Sequence, residues 1–315
     1  MSIVSIVKGT DPEVMVKEAI ELIGGLDSYV KQGHRIFVKP NVCGGVPGKT
    51  GSFTNPRVLA SMIRLLRKMD TTVSVGEADS CMYTADVMLP ETGISEAAAQ
   101  NGAEVVNLSR GDMVKIDVPD GYVLESFLVN KAVADADAII AMPVMKTHAC
   151  TVVTLGMKAM FGILPERKKS RYHPKLDHVI VDISSALPPR LTIIDATTGM
   201  EGEGPFEGEL VELGLVIAGN NVVSTDACAA AVMGIDPSSI DHLRLASEKG
   251  LGTINLDEVK VRGESIEAVK RPFRKAAPMR ADRLLCRLSN GLGYALIHWG
   301  YEGAVKSWKK AQQKS

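Results

Sequence analysis

The feature that most constrains the fold of this chain is a regular alternation between short β-branched apolar runs and longer segments with helical spacing. Residues 2–7, 35–38 and 72–75 have the composition of strands, and the segments between them carry apolar residues about 3.6 positions apart. Such alternation is typical of parallel strands joined by helices. It predicts an α/β fold in which a mostly parallel sheet is covered by helices on both faces.

The same alternation continues as far as residue 249. Further strands are predicted at 105–108, 138–142, 191–195 and 213–218, and helices at 12–29, 56–68, 94–101, 154–161, 177–186, 223–233 and 239–249. A chain of 315 residues with this pattern suits one large domain or two intimately joined lobes. In such folds ligands bind where loops converge at the carboxyl ends of the strands.

Composition narrows the class of protein. Hydrophobic residues make up 45% and charged residues 23% of the chain, which is typical of soluble globular proteins. No window approaches the roughly 18 apolar residues that span a bilayer, so no transmembrane segment is predicted. The start of the chain lacks a basic region followed by a cleavable apolar segment, which predicts a cytoplasmic protein. Aromatic residues are only 4% and the body is acidic, so no nucleic-acid partner is expected.

The charge of the chain changes sign near residue 270. Residues 271–315 carry a net charge of about +8, whereas the formal net charge of the whole chain is −1. The sequence therefore predicts a catalytic α/β domain over 1–270 and a basic, amphipathic helical extension over 271–315. This extension is expected to pack on the acidic body, form a homodimer interface, or dock on a partner or membrane surface.

Charged side chains follow several predicted strands directly. Lys146 and His148 are separated by one residue, so in an extended segment their side chains point to the same side. Ammonium and imidazole groups in one cleft bind a carboxylate or phosphate and transfer protons. We therefore expect an anionic small-molecule substrate. The basic members of this site are predicted to be Lys39, Lys146, His148, Lys158 and His173.

Acidic residues occupy comparable places after the strands. They are Glu77, Asp79, Asp195 and Glu201, together with Asp226 at the start of an Ala-rich helix. Carboxylates at these positions balance the lysines, hold a divalent cation or act as bases, and the sequence leaves these alternatives open. At the first of these strand ends, we expect Glu77 to line one cavity with Lys39, Lys146 and His148.

Seven motifs of the chain resemble those of one known family. They are KPN at 39–41, TNP at 54–56, GE at 76–77, MPVMKTH at 142–148, TLGMKAMFG at 154–162, IIDATTGMEGEGPFEG at 193–208 and STDACAAAVMGIDP at 224–237. Together they resemble the pattern of domain of unknown function 362 (DUF362) over roughly residues 3–260. The resemblance implies an α/β fold and an enzyme, but no settled reaction. Many relatives add a ferredoxin-like module with clustered CxxCxxC, which this sequence lacks.

The motifs and strand ends together give a predicted site. Catalysis is assigned to the four charged residues His148, Lys146, Glu77 and Glu201, with His148 as the acid or base. Substrate binding is assigned to residues of the KPN, TNP and TLG motifs and of the KSRYHPK segment, namely Lys39, Asn41, Thr54, Lys158 and His173.

Three of the five cysteines also fall in these loops. Cys43, Cys81 and Cys150 each come within a few residues of the end of a different predicted parallel strand. If the loops converge, so do the thiols, and three thiolates can bind a [4Fe–4S] cluster with one iron open to a substrate oxygen. The alternatives are a zinc site and inert buried thiols. Cys228 is predicted to pack inside a helix, and Cys286 has no predicted role.

Three functions follow from these patterns. The first is an enzyme of the lyase or oxidoreductase class that acts on an anionic metabolite with a three-cysteine [4Fe–4S] cluster. The second is a carrier that binds a metal or a metabolite without turnover. The third is a divalent-cation-dependent enzyme of phosphoryl or acyl chemistry in which the cysteines take no part.

Overall fold

The structure, a computed structural model, describes residues 1–42, 51–80, 83–205 and 208–276. Strands and helices alternate along them, as the sequence predicts. The strands are β1 (Ile3–Lys8), β2 (Arg35–Pro40), β3 (Thr72–Glu77), β4 (Glu104–Asn107), β5 (Met113–Asp117), β6 (Ser126–Asn130), β7 (Ala138–Met142), β8 (Val144–His148), β9 (Val152–Thr154), β10 (Leu191–Glu201), β11 (Glu209–Gly219) and β12 (Lys260–Gly263).

The α-helices lie between these strands and after β11. They are α1 (Pro12–Leu22), α2 (Pro56–Arg67), α3 (Ala85–Glu91), α4 (Ile94–Gln100), α5 (Lys131–Ala134), α6 (Gly156–Met160), α7 (Leu176–Ala186), α8 (Val222–Val232), α9 (Asp241–Glu248) and α10 (Ile266–Val269). Two 3-10 turns, Phe161–Ile163 and Lys169–Lys175, connect α6 to α7. None of the described helices is both long enough and apolar enough to cross a membrane.

One large mixed sheet organises the part of the chain that the structure describes. Its strands follow the order β12–β1–β11–β10–β7–β2–β3–β4, with β8 paired to β10 and β9 paired to β8. Within this order only β11 runs antiparallel to its neighbours β1 and β10, so the sheet is mostly parallel and the predicted α/β fold class is confirmed. The carboxyl ends of β2, β3, β7 and β10 therefore meet at one edge of the sheet.

Side chains alternate between the two faces of the sheet and fill a separate apolar core on each. Along β2, Phe37 belongs to one core, whereas Ile36 and Val38 belong to the other. Successive residues of a strand point to opposite faces, so Lys39 leaves the sheet on the same face as Phe37. The alternation of side chains along β2 thus determines which of the two cores contains the Lys39 side chain.

Local signals place helix α2 directly after the loop that ends β2. Asn55 caps the helix by accepting a hydrogen bond from the backbone N–H of Arg57, and Pro56 occupies the first turn. Both residues favour a helix start. The NP pair of the TNP motif therefore begins α2, which packs against α1 and α4 on one face of the sheet.

The structure departs from the predicted elements in several places. The short elements α3, α5, α10 and β12 form where no element was predicted. The hairpin β5–β6 occupies a stretch for which no strand was predicted. Residues 144–154 form the antiparallel pair β8–β9 instead of a loop. The strand predicted at 191–195 continues to Glu201, because β11 pairs with it along its length across a register shift between Ala196 and Thr198.

The predicted basic extension lies almost wholly outside the described residues, so its helix stays a prediction. Residues 271–276 are described and pack on the body. The Phe273 ring is buried, and the backbone N–H groups of Arg271 and Phe273 donate to the carbonyl oxygens of Val232 and Met233. The last residues described are therefore anchored to the end of α8.

Candidate functional site

A buried ion pair joins the ends of β2 and β3. The Lys39 Nζ lies 2.7 Å from Glu77 Oε2, and both side chains are nearly inaccessible to solvent. Lys39 Nζ also donates to the carbonyl oxygen of Pro40 at 2.6 Å. The same Oε2 accepts from the backbone N–H of Val42, and Oε1 accepts from that of Ala78. The pair is thus held from both strands, as buried charges require.

A glycine makes room for this pair. A Cβ at Gly162 would lie 2.7 Å from Glu77 Oε1 and 2.9 Å from Lys39 Cε, closer than real side chains approach. The 3-10 turn after α6 therefore lies against the ion pair without displacing it because residue 162 has no side chain. The GE motif of β3 and the MFG end of the TLGMKAMFG motif meet at this contact.

Lys146 is fully buried on β8. Its Nζ donates to the carbonyl oxygen of Ser52 at 2.6 Å and approaches that of Pro205 at 3.5 Å. These carbonyls belong to the two segments that precede α2 and follow β10. Lys146 therefore links two loops at the carboxyl edge of the sheet, and its positive charge remains inside the protein.

His148 lies two residues further along β8 and is partly buried. Its Nδ1 accepts from the backbone N–H of Cys150 at 3.0 Å, which places the proton of the neutral ring on Nε2. Burial lowers the pKa of His148 well below its usual 6.5, and the charges of Lys158 and Lys146 lower it further. At neutral pH the side chain is therefore an uncharged imidazole whose N–H is on Nε2.

Lys158 on α6 interacts electrostatically with two histidines. Its Nζ lies 4.8 Å from the centre of the Phe161 ring. It lowers the pKa of His148 and also that of His173, which falls to about 4 through burial first and the Lys158 charge second. The TLG and KSRYHPK segments therefore bring Lys158 and His173 together, as the predicted site requires.

Lys169 is a member of this group that the sequence alone did not single out. It begins the second 3-10 turn, is half-buried, and donates from Nζ to the carbonyl oxygen of Asp79 at 2.7 Å. Burial lowers its pKa to about 8, with the charges of Lys39 and Lys158 acting in the same direction and that of Glu77 opposing them. In the sequence it is one of several basic residues in a polar stretch without periodicity, so no pattern distinguishes it.

The two polar residues assigned to substrate binding lie beside the Lys39 strand. Thr54 Oγ1 accepts from the backbone N–H of Asn41 at 2.8 Å and donates to the carbonyl of Met142 at 2.6 Å. This hydroxyl joins the ends of β2 and β7. The side-chain oxygen of Asn41 is buried and has no hydrogen-bond partner among the residues that the structure describes.

The remaining carboxylates hold backbone elements. Asp195 accepts from the backbone N–H groups of Asn55 and Thr197. Glu201 forms an ion pair with Arg274, whose Nε lies 3.4 Å from Oε1, and accepts from the Arg274 backbone N–H. Asp79 accepts from the backbone N–H of Ala85 at the start of α3. The structure therefore brings only Glu77 of the acidic candidates into direct contact with a candidate lysine.

The cysteine prediction falls mainly outside the described residues. Cys43 and Cys81 are not described, and Cys150 is partly buried two residues after His148. Cys228 is fully buried in α8, where burial raises its pKa to about 12. Within the described ranges no three His, Cys, Asp or Glu side chains converge on a metal-binding geometry.

Three known proteins are similar to parts of this chain. A thylakoid-associated protein of Synechocystis is 27% identical over 250 residues, which cover 75% of this chain and 74% of that protein. The lactate racemase apoprotein of Thermoanaerobacterium thermosaccharolyticum is 14% identical with a TM-score of 0.46, over 69% of this chain and 53% of that one. A Thermotoga maritima protein is 16% identical with the same TM-score, over 77% and 60% of the two chains.

The two solved structures are therefore matched over little more than half of their lengths, and likeness at this level does not define a function. The family comparison is more specific. The family described as domain of unknown function (DUF362) matches residues 36–231. That range contains every segment that forms the site, from the end of β2 to the Asp226 region of α8. The chain belongs to the DUF362 family.

Proposed function

We propose that this protein is an enzyme that binds an anionic small molecule at the carboxyl edge of its sheet. The observation that carries the proposal is the position of Lys158, whose charge lowers the pKa of His148, His173 and Lys169 alike. The Lys158 ammonium repels positive charge on each of these groups, and burial and that repulsion together disfavour their protonated forms. A carboxylate or phosphate bound among them offsets that repulsion, which is the electrostatic reason to expect an anionic ligand.

Acid–base groups favour an enzyme over a carrier. His148 is neutral and carries its proton on Nε2, and the pKa of Lys169 is about 8. Strongly perturbed groups gathered at one edge of an α/β sheet are typical of catalytic sites. A neutral imidazole can donate its N–H to a substrate oxygen. It then stabilises the negative charge that develops on that oxygen without having to be protonated first.

Calorimetric titration tests the binding step. We expect inorganic phosphate or oxalate to bind the wild-type protein, and Lys158→Met to weaken binding about tenfold or more, which is about 1.4 kcal/mol. Lys168→Met removes an exposed lysine from the neighbouring turn and is the matched control. Equal affinities for wild type and Lys158→Met would remove Lys158 from the site, and failure of both anions to bind would overturn the proposal.

A second experiment separates enzyme from carrier. Small 2-hydroxy and 2-oxo acids are incubated with the protein in deuterium oxide and followed by proton NMR. An enzyme with these acid–base groups is expected to exchange a carbon-bound proton or to form a product, whereas a carrier leaves every bound acid unchanged. Loss of exchange in His148→Gln with retained phosphate binding would show that the proton transfer depends on His148.

A [4Fe–4S] cluster held by Cys43, Cys81 and Cys150 is the cofactor we propose for a lyase or reductase reaction. The Tyr83 hydroxyl donates to the carbonyl oxygen of Val42, and these two residues adjoin the segments that contain Cys81 and Cys43. This contact joins the described residues nearest to the two cysteines in the chain, and it supports the proposal. The three thiolates would leave one iron open to polarise a substrate oxygen.

Anaerobic purification tests the cluster. Iron and sulfide analysis should give about four of each per chain, and Cys→Ser at 43, 81 or 150 should remove the visible absorption. Cys228→Ser and Cys286→Ser are the controls that should keep it. A divalent cation remains the alternative cofactor, but both oxygens of Glu77 already accept hydrogen bonds from Lys39 or the backbone, which favours the anion site.

A further inference from the structure

Lys169 differs from Lys39 and Lys146 in the contacts that its Nζ makes. Lys39 Nζ is paired with Glu77, and Lys146 Nζ is enclosed by carbonyl oxygens with no exposed surface. Lys169 is half-buried, and its Nζ donates to one carbonyl oxygen, that of Asp79. An amine that donates a single N–H to a carbonyl retains its lone pair. Of these three lysines, Lys169 is the one whose side chain retains exposed surface.

The charges around Lys169 come from four different segments. Lys39 of β2 and Lys158 of α6 lower its pKa, while Glu77 of β3 and Glu166 of the preceding loop raise it. Each carboxylate has another partner, since Glu77 pairs with Lys39, and Glu166 pairs with Arg171 and accepts from the Tyr172 hydroxyl. The effects of burial and of the two lysines therefore exceed those of the two carboxylates, and the pKa of Lys169 falls to about 8.

This environment is the one that activates an amine as a nucleophile. Lysines become reactive at neutral pH when they are desolvated or lie next to another cationic group. Lys169 meets both conditions. At pH 8 about half of its side chain is an uncharged amine, whereas an ordinary lysine with a pKa near 10.4 is uncharged in well under about 1% of molecules.

We propose that Lys169 forms a Schiff base with the carbonyl carbon of an anionic carbonyl compound. The inference rests on the proposed function, because Lys158 and its neighbours have to hold the anionic group while Lys169 attacks. The amine nitrogen forms a bond to the carbonyl carbon, and the carbonyl oxygen leaves with two protons as one water molecule. The product is a C=N bond, and no oxidant or reductant is needed.

Reductive trapping on the full chain tests this step. The protein is incubated at pH 8 with pyruvate or with dihydroxyacetone phosphate, sodium cyanoborohydride is added, and modified peptides are identified by mass spectrometry. We expect an adduct on Lys169 at least about tenfold more abundant than on Lys168, an exposed lysine one residue away. Preference for pyruvate or for the phosphate would identify the anionic group that the site selects.

Two variants make the result interpretable. Lys168→Arg should keep the adduct on residue 169, and Lys169→Arg should abolish it while retaining the wild-type melting temperature to within a few degrees. An adduct on Lys169 no more abundant than on Lys168, or no adduct with either compound, overturns the inference. Phosphate binding measured on the same samples distinguishes the two proposals: binding without an adduct refutes the Schiff base alone, whereas loss of both refutes the anion site as well.

Discussion

Asp226 positions Lys158 without touching it. The two carboxylate oxygens of Asp226, which is fully buried in α8, accept from the backbone N–H groups of Gly156 and Met157 at 2.7 and 2.8 Å. These N–H groups start the short helix α6, and Lys158 is its third residue. A Cβ at Gly156 would lie 2.8 Å from Asp226 Oδ1. The TLG and STDA motifs therefore form one unit that orients the central lysine of the site.

Replacement of Asp226 by Asn should change how stability depends on pH. Burial raises the pKa of Asp226 from 3.8 to about 7. Between these two values the folded protein keeps a proton that the unfolded chain has lost, so the free energy of unfolding falls as pH rises. Asp226→Asn carries no titrating group at this position. The variant is expected to be less stable overall, but to lose less stability than wild type between pH 4.5 and pH 7.5.

Urea unfolding at several pH values measures this difference. The free-energy gap between wild type and Asp226→Asn should narrow as pH rises through the window. A gap that stays constant, or that widens, would show that the folded carboxylate is already ionised at the lower pH. Other groups titrate in both proteins, so only the difference between the two curves is diagnostic.

Replacement of Lys39 by Met should destabilise the fold strongly. The change leaves the Glu77 carboxylate buried without its cation, and such a loss costs about 3–5 kcal/mol in comparable pairs. The double variant Lys39→Met with Glu77→Leu removes both charges and should recover most of that loss. Lys17→Met, which breaks the exposed pair with Glu21, should leave the urea midpoint nearly unchanged. An equal response at positions 17 and 39 would contradict the buried-pair assignment.

Removal of the Lys158 charge should raise the pKa of His173. The imidazole titrates near pH 4 because burial and the Lys158 ammonium both disfavour its charged form. In Lys158→Met only burial remains, so the pKa should move upward toward 6.5. Nitrogen-15 NMR of labelled histidines measures it, with Lys168→Met as the control. If His173 titrates identically in wild type and Lys158→Met, the electrostatic link between the two residues is absent.

Removal of the basic extension should leave the stability of the body unchanged only if the chain keeps the residues up to 276. A chain that ends after Ala276 keeps the buried Phe273 ring and is expected to melt near the wild-type temperature. A chain that ends after Arg271 loses that ring and the Phe273 hydrogen bond to Met233, which costs about 3 kcal/mol or more by analogy with Phe→Ala substitutions. Phe273→Ala in the full chain should reproduce most of this loss. Equal stability of the two shortened chains would show that Phe273 does not anchor the body.

The sequence predicted the fold class because apolar periodicity reports local structure and burial together. Lys39, Glu77 and Lys146 were recognised as candidates since each follows or ends a β-branched run, and parallel strands bring their carboxyl ends to one edge. The β5–β6 hairpin was missed because β5 is only half-buried or exposed and the apolar run of β6 is only three residues long. Pairing between β10 and β11, which follow one another in the chain, decided the lengths of these two strands.

Contacts that depend on tertiary structure could not be predicted. Lys169 and Asp79 are 90 positions apart, and nothing in the sequence links that lysine to the strand end it reaches. Glu201 lies in a motif, yet its partner Arg274 comes from the start of the basic extension. The motif therefore identified Glu201 as a candidate, but it did not indicate that Glu201 forms an ion pair with Arg274.

The most direct test of the anion site is the response of its histidines to inorganic phosphate. Phosphate bound near Lys158 adds negative charge beside His148 and His173, so the pKa of each imidazole should rise toward 6.5 in the complex. Nitrogen-15 NMR titrations with and without phosphate measure both, and His34, which precedes β2 at the opposite edge of the sheet, should give an unchanged resonance. A rise at His148 and His173 that is lost in Lys158→Met is the predicted result. Phosphate that leaves both imidazoles unaffected in the wild-type protein would contradict the account.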